Sequence, residues 1–170
     1  TSLKVKLLKT SAHDPVVSAQ CDACHKPPSD PKPFGTTETG SKLCYNCHDP
    51  SKLKAGGEID HSPFKEGACV SCHQPHATEY PKLILKKTND LCFDCHKGQR
   101  EKVAFNHAPV TSEKGCLSCH APHSAKYKDL LNAKNGGLCF ACHAKAREAE
   151  KAKVPHVPFA DGECNSCHNP

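Results

Sequence analysis

H-S-P-F-K-E-G-A-C-V-S-C-H-Q-P-H, residues His61 to His76, decides how the whole chain is read. Within it, two cysteines and a histidine stand as Cys69, Cys72 and His73. Cys-x-x-Cys-His is the attachment signature of haem c: the thiols bond to the macrocycle and the histidine takes one axial site of the iron. Two more histidines, His61 and His76, flank the motif and cannot easily reach the same face of that haem.

The motif occurs seven times, and its first cysteines are Cys21, Cys44, Cys69, Cys92, Cys116, Cys139 and Cys164. The second cysteines are Cys24, Cys47, Cys72, Cys95, Cys119, Cys142 and Cys167, so all 14 cysteines are used. A disulfide framework or a zinc site accounts for cysteine content. Neither accounts for a histidine directly after every second cysteine. Seven covalently bound haem c groups are therefore expected.

The steps between motifs are 23, 25, 23, 24, 23 and 25 residues, so alternate motifs lie 47 or 48 apart. The repeat is a two-haem unit, present about three and a half times, and residues 1–170 read as a single array without a dividing linker. Odd motifs follow a histidine and often a glycine, as in Gly67-Ala68-Cys69, Gly115-Cys116 and Gly162-Glu163-Cys164. Even motifs follow a leucine and enclose an aromatic: Tyr45, Phe93 or Phe140, each expected against a haem edge.

Composition agrees with a cofactor-built interior. The hydrophobic fraction of 36% includes the 14 cysteines, and Trp and Met are absent. Such a chain cannot enclose a large side-chain core, and small folds of this kind need a staple. The expected architecture is a multihaem cytochrome c fold, mostly loop with a few short α-helices and little or no sheet, folded around a stacked haem array. Prolines beside the histidines, such as Pro63, Pro75, Pro109 and Pro122, fix turns. Helix is expected at Ala144–Lys153, and around Tyr80–Asn89 or Lys126–Ala133; Ser29–Lys42 reads as loop. Gly56-Gly57 is read as an isolated turn, and Thr36, Thr37 and Asp60 as ordinary loop residues.

The formal charge is +5. Seven haems would bring about 14 propionates and lower the loaded protein to roughly −2 when ferric. The basic balance thus gives no argument for nucleic acid. Thr1 to Thr10 is too short and too lysine-rich for a signal peptide core or a membrane span. Haem c is attached on the outer side of an energy-transducing membrane, so an exported, processed chain or a fragment of a longer one is expected, with no transmembrane segment.

Of 13 histidines, seven are proximal: His25, His48, His73, His96, His120, His143 and His168. Six remain. His13, His61, His107 and His156 lie 8, 8, 9 and 8 residues before odd motifs; His76 and His123 close C-H-x-P-H. All six are candidate distal ligands. With Met absent, six haems are expected to be bis-histidine, which favours low potential, low spin and electron transfer. The upstream histidines are expected to serve the odd haem of their own segment, and His76 and His123 a neighbouring even haem. Six donors leave one haem short: the haem on Cys139/Cys142 or the haem on Cys44/Cys47, with Pro28 and Pro170 marking the two ends where the C-H-x-P-H pattern breaks.

These residues resemble the doubled C-x-x-C-H family of multihaem c-type cytochromes. The pattern H-x-P-F-x-x-G-x-C-x-x-C-H-x-P-H followed by L-C-F-x-C-H fits best over His61 to His143. The resemblance implies electron transfer in anaerobic respiration, in the periplasm, at the outer membrane or outside the cell. It implies redox-partner proteins such as other cytochromes or a terminal reductase. Some relatives polymerise into extracellular filaments in which a histidine crosses between subunits, so copies of the chain are a further expected partner. An enzyme reducing a small molecule at one five-coordinate haem is the less favoured alternative; no catalytic residues are assigned.

Overall fold

A computed structural model of the protein describes residues 9–100, 107–148 and 153–170. The chain forms two compact units: Thr1–Leu53 with Ser62–Ala104, and Lys54–His61 with Phe105–Pro170.

Secondary structure is short and tied to the motifs. Each odd motif is a 3-10 turn: Cys21–Ala23, Cys69–Ser71, Gly115–Ser118 and Cys164–Ser166. Each even motif ends a short α-helix: Ser41–Tyr45, Thr88–Phe93 and Asn135–Phe140. No helix among the described residues exceeds six residues, and none is long and apolar enough to cross a membrane. A C-x-x-C-H run needs one turn to aim its three side chains the same way, and the neighbouring prolines prevent more.

The expected Ala144–Lys153 helix is present as Ala144–Glu148, and its remainder reaches beyond the described residues. The other two helix candidates are not helices along their length. Each begins with a tight turn, Pro81–Leu83 or Lys128–Leu130, with two left-handed residues. These are Lys82 (φ 59°) and Leu83 (φ 58°), and Asp129 (φ 57°) and Leu130 (φ 58°).

Two sheets are present, each of two antiparallel two-residue strands. In the first unit β1 (Ser11–Ala12) pairs with β3 (Ala77–Thr78), with Ser11 opposite Thr78. In the second, β2 (Ile59–Asp60) pairs with β4 (Ser124–Ala125), with Ile59 opposite Ala125. Both join the residues before an upstream histidine to those after a C-H-x-P-H histidine.

These straps hold the buried side chains of the described residues. The buried hydrophobic residues are Ala77 and Ala125, and the buried polar ones Thr78 and Ser124. A folded monomer of this size ordinarily exposes about 8,200 Å²; this chain exposes 12,863 Å². The described residues give the polypeptide very little interior of its own, as the composition leads one to expect.

Glycine is used where backbones meet. Gly67, two residues before Cys69, has φ +70°, and a Cβ there would lie 2.5 Å from Ser41 Oγ. Gly162, two before Cys164, also has φ +70° and faces Gly136. Ser41 and Gly136 each stand three residues before an even motif. The close approach therefore presses an odd motif onto the helix of the preceding even one. In the first copy Ala19 holds the same left-handed position, at φ 56°.

Candidate haem-binding site

The odd proximal histidines are held by a repeated clasp. His25 Nδ1 meets the carbonyl of Phe34 at 2.8 Å, His73 that of Lys82 at 2.9 Å, and His120 that of Asp129 at 2.8 Å. All three carbonyl residues are left-handed, with φ of 63°, 59° and 57°. The left-handed turn aims the carbonyl at the ring. Two residues further on, Thr36, Ile84 and Leu131 form one-residue antiparallel bridges to the same histidines. The amides of Thr37, Leu85 and Asn132 then donate to the carbonyls of Cys24, Cys72 and Cys119, each at 2.9 Å. With Nδ1 bound as a donor to a carbonyl, Nε2 is the nitrogen that carries the lone pair a metal needs.

The same device orients distal candidates. His13 Nδ1 lies 3.0 Å from the carbonyl of Pro75, and His61 Nδ1 2.9 Å from that of Pro122. The backbone amides of His13 and His61 donate to the carbonyls of His76 and His123, each at 2.9 Å. One strap thus positions two histidines together.

Three imidazole pairs result. The ring centroids of His13 and His48 are 5.9 Å apart with planes at 16°. Those of His25 and His76 are 5.9 Å apart at 22°. Those of His107 and His143 are 6.1 Å apart at 9°. Perfectly face-to-face rings would come to about 3.5–4 Å, and offset rings in contact lie at about 4.5–7 Å between centroids. A metal between two imidazole nitrogens, at about 2 Å each and with half a ring on either side, gives about 6 Å. The donor set therefore fits an iron held by histidine from both sides.

The pairing differs from the sequence expectation. His13 meets the even proximal His48, not His25, and His107 meets the even His143, not His120. His76 meets the odd His25 one repeat earlier, not an even neighbour. The even motifs Cys44/Cys47 and Cys139/Cys142, between which the missing ligand was expected, thus each have two facing imidazoles.

Within each unit the cysteines of successive motifs lie near one another. Burial, then the neighbouring Cys69 and Cys24 thiols, pushes the Cys44 thiol above its ordinary pKa. Burial, then Cys95 and Cys69, does the same to Cys72. In the second unit burial raises Cys119, followed by Cys142 and Cys116, and raises Cys139, followed by Cys164 and Cys119. These sulfurs are the ones that become thioethers when haem attaches; an uncharged thioether suits a half-buried site better than a thiolate. Tyr45, Phe93 and Phe140 are half-buried beside them. Arg100 sits 5.5 Å over the Phe93 ring, and Phe140 meets Phe159 edge-on at 6.0 Å.

Three histidines end elsewhere. His120 keeps its clasp, while His156 and His168 are exposed. None of the three faces a second imidazole among the described residues. Sequence reasoning missed the clasp carbonyls of Phe34, Lys82 and Asp129. The recurring nine-residue step from each odd proximal histidine to these positions was the available signal.

Covalently attached haem, carried on paired motifs with histidine ligands, defines a multihaem c-type cytochrome, a class that transfers electrons. The Doubled CXXCH motif family matches residues 13–53, 61–101 and 107–148, more than half of the sequence, and the chain belongs to it. No curated protein matches the chain.

Proposed function

We propose that the protein is an exported heptahaem electron conduit, in which mainly bis-histidine haems pass electrons between redox partners in the periplasm or outside the cell. The imidazole pairs at 5.9–6.1 Å carry this reading. Histidine on both faces leaves an iron no open position for substrate, so its task is outer-sphere electron transfer. Haem c supplies one-electron redox chemistry; the chain supplies ligands, spacing and shielding. The clasp carbonyls draw on the proximal Nδ1–H and make those imidazoles better donors, which stabilises the ferric state and lowers potential. Within each unit, thiols of successive motifs lie close enough to affect one another, which favours short hops between neighbouring motifs there. The single array over residues 1–170 rests on the even motif spacing.

Intact mass after expression in a host that exports and matures c-type cytochromes tests the count. Seven haems are expected, with every one of the 14 cysteines blocked to alkylation. A lower count, or free thiols in any motif, contradicts the heptahaem reading.

A further inference from the structure

The three facing imidazole pairs are not held alike. In the pair His25–His76, Nδ1 of His25 donates to the carbonyl of Phe34 at 2.8 Å. In the pair His13–His48, Nδ1 of His13 donates to the carbonyl of Pro75 at 3.0 Å. In the pair His107–His143, neither Nδ1 meets a carbonyl among the described residues. The difference has a local cause. His25 is served by the left-handed turn at Phe34 (φ 63°), and His13 by the β1–β3 strap, in which its amide also donates to the carbonyl of His76.

Charge differs in the same direction. Asp49 follows His48, and its Oδ1 accepts from the amide and hydroxyl of Ser51 at 2.9 and 2.7 Å. Ala144 stands at the corresponding position after His143. Lys134, Arg147 and Asp161, two cations to one carboxylate, line a cleft with Phe140 and Ala141, the residues between Cys139 and Cys142. Lys26, which follows His25, is offset by Asp30 at 3.6 Å.

An Nδ1–H bonded to a carbonyl makes the imidazole a stronger donor and favours ferric iron. A pair without that bond gives a weaker donor, and net positive charge nearby opposes the ferric state further. On the reading of each pair as the two axial ligands of one haem, we infer that the haem on Cys139/Cys142 is the most readily reduced of the three, and that electrons shared among them settle there. It is a holding station, not one rung of an even ladder. Phe34 and the strap are positioning groups that act through His25 and His13. Outer-shell partners change metal affinity by about 10–100-fold; a tenfold preference for one oxidation state is about 59 mV for a one-electron couple.

Spectroelectrochemical titration of the haem-loaded 170-residue chain tests this, in the parent and in His13→Met, His76→Met and His107→Met. A thioether ligand raises the potential of its own haem, so each variant displaces one component of the parent titration. The component displaced by His107→Met is expected to lie above the other two by about 59 mV, a tenfold preference. Phe34→Pro, which cannot hold the left-handed turn, should raise the component that His76→Met displaces and leave the others in place. Ala144→Asp should lower the component that His107→Met displaces, and it decides the matter if His107→Met fails to hold its haem. A His107→Met component at or below either of the others overturns the inference, as does a titration unmoved by Phe34→Pro. Met variants that displace no component would instead overturn the pairing, and fewer than seven haems by intact mass of the parent would overturn the functional reading.

Discussion

Single residues set this fold through backbone freedom more than through apolar contact. Gly67 illustrates it: its φ of +70° is costly for any other residue, and a Cβ would meet Ser41. Gly67→Ala is expected to destabilise the haem-loaded protein by about 1–3 kcal/mol, whereas Gly98→Ala, with nothing within 4 Å of its Cβ, should be near neutral. Denaturant midpoints of the two variants check this; equal midpoints would show that the odd and even motifs are not pressed together there. The glycines before odd motifs were visible in the sequence. Their left-handed conformation was not, because Ala19 fills the same role in the first copy and hides the pattern.

At the level of elements the clasp and the strap do the positioning, and both were hidden in the sequence. Tyr80–Asn89 and Lys126–Ala133 contain leucines and lysines with good helix propensity, so they read as helices. Tertiary hydrogen bonding overrides that preference: Gln74 and Ala121 donate to the carbonyls of Leu83 and Leu130 at 2.8 Å. Ser29–Lys42 read as plain loop, yet Thr36 and Thr37 complete the clasp of His25. Asp60 joins a 2.7 Å ion pair with Lys54, and Gly57 has no room for a Cβ against Ser124. Two-residue strands carry too little alternation to be seen by pattern. Lys82→Pro tests the clasp, since proline is restricted to φ near −65° and cannot hold the left-handed turn. Freed from its carbonyl, His73 becomes a poorer donor. One haem potential is expected to rise, measured by spectroelectrochemistry of the variant against the parent; an unchanged set of potentials would show that the carbonyl does not tune the iron.

For the whole molecule, the sequence disclosed the interior by what it lacked. Among the described residues the buried apolar side chains are Ala77 and Ala125, too few to offset chain entropy. The chain made without haem attachment is therefore expected to show a coil far-ultraviolet spectrum and no cooperative unfolding; a cooperative transition in the apo form would mean that the polypeptide folds unaided. The covalent c-type haem and the loop-rich class were legible because C-x-x-C-H is a local motif. The imidazole pairing was not, because facing histidines lie 35 to 51 residues apart, and only the straps choose which rings meet. The central claim is that His13 and His48 clamp one iron. It is tested most directly by counting low-spin ferric haems by electron paramagnetic resonance in His13→Ala, His48→Ala and the double variant. The account predicts the loss of one low-spin haem, the same one, in all three. Loss of two in the double variant would place the histidines on different irons and contradict it.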